Sequence, residues 1–209
     1  MPSISSNAVR VAPQQERSTR RLAGFLDVAA ELFVEVGYKA ATMTAVAERS
    51  GSSIGALYNY FPDKRSIAFT LVSQYTQELE AHWKPLMEQS EILTHAEFAD
   101  LFIERITQFV QARPAFLSLL AAPIRIRRDP AARKVSRSAI ANAFQAKNPS
   151  LSKEQSLLAA NVSLQMVVGM MTLYGEADPK GKVLVVAEFK KVLTLYLGSV
   201  LSEDEASAK

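Results

Sequence analysis

The chain contains no cysteine. That removes disulfides, thiolate nucleophiles and thiolate metal ligands together, and it suits a reducing, cytoplasmic setting. Histidine is nearly as scarce. His82 and His95 are the two in 209 residues, with no second histidine or cysteine beside either, so no zinc-ligand spacing exists and no metal is expected. A glycine-rich phosphate loop and a nucleophile elbow are both missing. His82 lies beside Trp83 and near Glu80, but no nucleophile partners it. No cofactor and no enzyme activity are therefore expected. Charge of one sign is also lacking: 24 Lys and Arg stand against 21 Asp and Glu, a net of +3. Any nucleic-acid contact must rest on a local patch rather than on bulk charge. Residues 1–16 hold Pro2, Pro13 and several Ser, Asn and Gln without an apolar run. They read as a flexible arm, not a signal peptide. The most apolar stretch, 153–174, is interrupted by Asn161, Ser163 and Gln165. It falls short of the ~20 apolar residues of a membrane span.

What the chain has in abundance is helical periodicity. Leu22, Phe25, Leu26, Ala29, Leu32, Phe33 and Val36 form one apolar stripe over a helix from about Ser18 to Val36. Gly37 stops it. Two short pieces follow. Thr42 is placed to cap the first, which carries Met43, Val46 and Ala47 on one face. The run Ser50-Gly51-Ser52-Ser53 breaks the pattern, with Gly51 free to take the positive φ of a tight turn. Ser53 caps the second piece, where Leu57 and Phe61 share a face and Pro62 ends the helix. Two short helices across a glycine turn make a helix-turn-helix. The stripe of the first helix should close a three-helix core on Val46, Leu57 and Phe61. The outer face of the second short helix carries Gly55, Ala56, Tyr58 and Asn59, and no acidic residue lies between Ser50 and Pro62. Small residues allow close approach to a polyanion, Asn can pair with a base edge, and a Tyr hydroxyl can reach a phosphate. The same spacing also fits an ordinary helical hairpin in a core.

Gly37-Tyr38, Thr42, Val46-Ala47, Gly51 and the run Gly55-Ala56-Leu57-Tyr58-Asn59-Tyr60-Phe61 with Lys64 resemble the DNA-binding domain of the tetracycline-repressor (TetR) family. The resemblance covers about Ser18 to Leu71. It implies an all-α fold with an N-terminal three-helix domain, 17–62, and a larger C-terminal helical bundle, 63–209, for ligand binding and dimerisation. It also implies roles. Thr44, Ile54, Gly55, Ala56 and Asn59 match positions that meet base edges. Tyr58, Tyr60 and Lys64 match phosphate contacts. Thr42 and Ser53 belong to the same DNA-facing set, and Arg17 and Arg21 are basic residues near the backbone. Arg10 reads as solvated terminus. Arg or Gln is absent from the reading face, so sequence preference would rest on Thr44, Asn59 and DNA shape.

Beyond Pro62, Asp63 opens a long connecting helix with Lys64 just inside its start, where backbone N–H groups can meet a phosphate. It is expected to end near Trp83, before Pro85. Further helices are expected over Ala96 to Arg113, Pro114 to Ala122 and Pro130 to Ala146, with a basic knot, Ile124 to Asp129, between the last two. That knot fits an acidic partner or a solvated surface. The final helices run from Lys153 to Tyr174 and Lys182 to Leu201. By resemblance they form a four-helix dimer interface, using Leu164, Val168, Met171, Phe189, Leu193, Tyr196 and Val200. The resemblance also puts an effector pocket among the middle helices, with Trp83, Phe102, Ile106, Phe109, Phe116, Phe144, Asn161, Gln165 and Met166 as candidate lining. Each of these also fits plain core. Asn161 and Gln165 are four apart on an apolar helix, and a buried amide needs a partner. The apolar surroundings suggest an uncharged or weakly polar effector.

The expected function is a homodimeric repressor, on a palindromic double-stranded operator, released by a small molecule. Two alternatives stand beside it: a ligand-blind DNA-binding regulator, and an all-helical enzyme or carrier whose hairpin is structural.

Overall fold

The structure, a computed structural model, describes residues 7–123 and 130–202, with side chains from 15 to 123 and from 134 to 202. Every long element among the described residues is an α-helix and no strand occurs there. The chain divides into two units, one of residues up to Val72 with 122–124, the other from Ser73 onward.

The first unit starts with α1 (Asn7–Glu35). The helix therefore begins well inside the stretch expected to be an arm. Ala, Arg, Gln and Glu dominate residues 8–17, and their propensity carries the helix backward from the apolar stripe. Gly37, at φ 76°, ends α1 and begins the single turn α2 (Gly37–Ala40), which the periodicity did not announce. Then come α3 (Met43–Arg49) and α4 (Ile54–Tyr58), joined through Gly51 at φ 64°. Phe25, Leu26, Ala29, Leu32 and Phe33 of α1 are buried with Val46, Ala47, Leu57 and Phe61. Each large side chain so buried contributes roughly 1.5–3 kcal/mol. Val36 is an exception to the stripe: it is exposed, because α1 has already ended at Glu35.

α5 (Lys64–Glu88) begins in the first unit and ends in the second. It passes through Pro85, where the sequence suggested a stop. A proline here removes only the N–H that would serve the Ala81 carbonyl. Both residues are exposed, and buried Trp83 and Leu86 hold the helix on either side.

In the second unit a 3-10 turn (Ser90–Ile92) leads to α6 (His95–Ala112), α7 (Pro114–Leu120), α8 (Pro130–Lys147), α9 (Lys153–Glu176) and α10 (Pro179–Leu201). Capping boxes open two of them, Thr94 with Glu97 for α6 and Ser152 with Gln155 for α9. Pro114 and Pro179 occupy first-turn positions, where a missing N–H costs nothing. α10 packs on α6 and α9, and α9 also packs on α8 and α7. Their core is aromatic: Trp83 stacks on Phe102 (5.5 Å between ring centres), Phe98 on Phe102 (5.8 Å), and Phe109 meets Phe116 edge-on (5.6 Å). The Lys147 ammonium donates to the carbonyls of Ser90 and Leu93, fixing the end of α8 on the 3-10 turn. The basic knot 124–129 lies outside the described residues. α9 is long and apolar enough to cross a membrane by length and composition. Its packing against three neighbours is that of a core helix.

Candidate nucleic-acid interface and effector region

The hairpin is built from side chains that close onto backbone. Thr42 Oγ1 accepts from the Ala45 N–H at 3.1 Å, and Ser53 Oγ accepts from the Ala56 N–H at 3.2 Å. In the turn, Gly51 N–H donates to Glu48 O at 3.0 Å and Ser52 N–H to Ala47 O at 2.9 Å. α4 is only five residues long. A helix that short has no independent stability; the Ser53 cap and the fully buried Leu57 hold it in place. The face turned outward is the one expected to read DNA. Thr44, Ile54, Gly55, Tyr58 and Asn59 are exposed, and Ala56 is half-buried. A Cβ at Gly55 would meet no heavy atom within 4 Å, so no packing inside the protomer demands a glycine there. The absent side chain leaves the backbone open to an approaching surface.

Tyr60 is half-buried. Its ring meets Phe25 edge-on at 5.5 Å, and its hydroxyl sits 3.2 Å from Ser18 Oγ. Arg17 and Arg21 are exposed one turn apart on α1, on the helix itself rather than on an arm.

Lys64 is placed differently from expectation. Its ammonium donates to Tyr38 O (2.7 Å), Lys39 O (3.1 Å) and Ala41 O (2.6 Å), and lies 4.6 Å from the centre of the Tyr38 ring. All three N–H bonds are used. The side chain caps the carbonyl end of α2, where a cation also complements the helix dipole. Burial pulls its pKa below the ordinary lysine value. The Lys64 ammonium is thus a structural clamp, and it is not free for a phosphate. The signal existed in the sequence only as Gly37-Tyr38 plus Lys64, whose contact across 26 residues periodicity cannot read.

In the second unit, Phe102, Ile106, Phe109, Phe116 and Phe144 come together but are packed to within 5% of complete burial. They form the core and leave no room for a ligand among themselves. Trp83 is different. Its ring stacks on Phe102 and it also lines a groove of about 760 Å³ between α5 and α8. On α9, Asn161 and Met166 are half-buried and Gln165 is exposed, so the Gln165 amide is not a buried group in need of a partner within the protomer.

The dimer set divides as well. Val168 is exposed, and Leu164, Phe189, Tyr196 and Val200 are half-buried. Leu193 and Met171 point into the protomer's own core, 1% and 5% exposed. Their neighbours Leu173, Val192 and Leu195, outside the expected set, are 50%, 45% and 74% exposed.

A capped helix-turn-helix on an all-helical body is the architecture of a DNA-binding transcriptional regulator. Residues 25–71 match the model of bacterial regulatory proteins of the tetR family, and residues 94–197 match a tetracyclin repressor-like C-terminal domain. The chain belongs to the TetR family. It is 31% identical over 111 residues to the HTH-type transcriptional repressor KstR of Rhodococcus jostii (strain RHA1), a match covering 53% of this chain and 46% of that relative. The aligned stretch thus spans about half the length of the relative. Among solved structures, a TetR-family transcriptional regulator from Streptomyces coelicolor superposes with a TM-score of 0.64 at 23% identity, covering 87% of this chain and 99% of that one. The ketosteroid transcriptional regulator KstR2 of Mycobacterium tuberculosis gives 0.59 at 18% identity, over 88% and 96%. At these identities the two structures share the fold.

Proposed function

We propose that the protein is a homodimeric repressor that binds a palindromic operator and is released by a small-molecule effector held in its helical body. The observation that carries this reading is the outward face of α4: small, uncharged, rich in hydrogen-bonding groups, and presented by caps that consume none of it. Asn59 offers a donor and an acceptor to a base edge, most naturally adenine. Ile54 and Ala56 touch thymine methyls or fill space. Tyr58, Arg17 and Arg21 supply backbone contacts, with the Tyr60 hydroxyl beside them. The protein works where the DNA is, in the cytoplasm.

Two heads in one dimer meet successive major-groove faces about 34–36 Å apart, or at a multiple of that. The apolar outer faces of α9 and α10, with Val168, Val192 and Leu195 exposed, support the dimer. An effector that favours another separation of the heads weakens DNA binding by ~1–3 kcal/mol, and DNA weakens effector binding equally.

Gly55→Glu tests the reading. A Cβ there meets nothing, and an acidic residue in the first turn of a helix is favourable. The variant should keep its melting temperature and lose selection of any duplex from a random pool, whereas the parent protein selects an inverted repeat. A variant that still selects the same repeat would place the reading surface elsewhere.

A further inference from the structure

The first unit has few cations free to meet a polyanion. Arg49 is paired with Glu35 at 2.7 Å and Arg20 with Glu16 at 3.6 Å. The Lys64 ammonium is spent on three carbonyls. Among the described side chains of that unit, the exposed cations left without an ion pair are Arg17, Arg21, Lys39 and Arg65.

These stand at two places, and α1 gives the scale. In its exposed first half Ser18 Oγ meets the Tyr60 hydroxyl at 3.2 Å, with Arg17 and Arg21 beside it on the same helix. Near its end Phe33 packs on Tyr38, 5.5 Å between ring centres. Ser18 and Phe33 are fifteen residues apart, about 22 Å along a helix axis. Lys39 follows Tyr38 directly. Arg65 is near too: burial and then Asp63 raise the Tyr38 pKa, and Arg65 lowers it. Asn59 adjoins the first pair of cations through Tyr60, and Thr44 adjoins the second through the Thr42 cap. Each pair therefore borders one end of the face expected to read bases. A major groove is about 12 Å wide, so long side chains set this far apart can reach phosphates on both its banks.

Lys64 prepares the second pair without joining it. Its ammonium holds the Tyr38, Lys39 and Ala41 carbonyls, so the backbone carrying Lys39 is fixed from inside while the Lys39 side chain is exposed. The neighbouring acid is engaged in capping α5: Asp63 Oδ1 accepts from the Ser66 N–H at 2.7 Å. The Arg65 guanidinium lies 5.0 Å from the centre of the Phe69 ring, which steadies it without neutralising it.

We propose that Lys39 and Arg65 hold the DNA backbone on the bank of the groove away from Arg17 and Arg21, in the place expected of Lys64. The proposal rests on the DNA-binding reading and adds contacts to the second strand. Backbone contacts on both strands fix the register of α4, and base edges then decide sequence.

A salt titration of the full chain tests this, on a random-sequence duplex and on the repeat that the parent selects. Each cation that neutralises a phosphate contributes about 0.9 to the slope of log affinity against log salt. Lys39→Gln and Arg65→Gln should each flatten that slope by roughly 0.9 per subunit, near two units for a dimer, on both duplexes alike. Lys39→Arg should keep the parent slope. The Lys39→Gln melting temperature should match the parent's, whereas Lys64→Met should melt lower and keep its slope. A slope indifferent to both Gln variants, with the parent still binding, overturns this proposal and leaves the DNA-binding reading standing. A Lys39→Gln loss confined to the selected repeat also overturns it, since a base contact would then be at work. A parent chain that binds neither duplex defeats the DNA-binding reading and the proposal with it.

Discussion

In the unit up to Val72, hydrogen-bonding side chains turn inward onto the backbone of short helices: Thr42 on Ala45, Ser53 on Ala56, Lys64 on three carbonyls of the Tyr38–Ala41 segment. The face left outside is small and uncharged. The unit from Ser73 is capped as well, at Thr94 and Ser152, but a larger aromatic cluster fills its core, and its outside shows a groove and an apolar helix pair. The difference follows from helix length. Helices of four to seven residues, as α2, α3 and α4 are, bury too little to hold themselves and need caps. Helices of eighteen or more, as α6, α8, α9 and α10 are, can be held by packing. The caps free the first unit's outer face for polar recognition, whereas the long helices of the second offer surfaces for apolar contact.

Six substitutions probe this contrast. The largest effect is expected for Leu193→Glu in the second unit. Leu193 is 1% exposed within the protomer, so an unpaired charge there should cost about 3–5 kcal/mol and lower the melting temperature itself. Leu195→Glu, two residues along and 74% exposed, should leave the protomer folded and only dissociate the dimer in a sedimentation experiment. If both variants merely dissociated, the division between core and outer face on α10 would be wrong.

In the first unit, Lys64→Met should strand the carbonyls that the ammonium now serves and destabilise the fold by about 1–3 kcal/mol. DNA affinity would fall only as the folded fraction falls. A variant with unchanged melting but a shallower salt dependence of DNA binding would return Lys64 to the role of phosphate ligand.

Asn59→Ala separates reading from folding. It should cost ~1–3 kcal/mol per half-site on the selected operator, little on random DNA, and nothing in stability. Tyr58→Phe should weaken both DNAs slightly with an unchanged salt slope, since it removes a neutral hydrogen bond.

The smallest effect concerns pH. The Thr94 N–H and then the Thr94 hydroxyl hold the Glu97 carboxylate below its ordinary pKa. A folded pKa below the unfolded one means stability that is present above the unfolded value and lost as pH falls through the folded one. Glu97→Gln should therefore flatten the acid limb of the stability profile, lowering stability slightly at neutral pH and leaving it nearly unchanged in acid.

Much of the first unit was legible because its determinants are local. Thr42 and Ser53 sit three residues from the N–H groups they cap, and Gly37 and Gly51 carry the positive φ that their turns require. The apolar stripe of α1 named its buried side correctly up to Val36, which fell beyond the helix end. Pro85 misled for the converse reason. Local rules treat proline as a stop, yet one lost hydrogen bond is small beside the burial of Trp83 and Leu86 on either side.

The sequence by itself determined the helical class, the hairpin, its caps and the acid-free outer face of α4, because these depend on residues within a turn or two of one another. Only the tertiary structure decided which side of each apolar helix faces inward. It turned Leu193 and Met171 into the protomer core, left Leu195 outside, and packed Phe102, Phe109 and Phe144 too tightly to enclose a ligand. It also brought Lys64 onto carbonyls 23 to 26 residues away and set Glu80 across from Ser136. A periodic pattern records that a face is apolar, whereas its partner is chosen by contacts far apart in the chain, which no local spacing encodes.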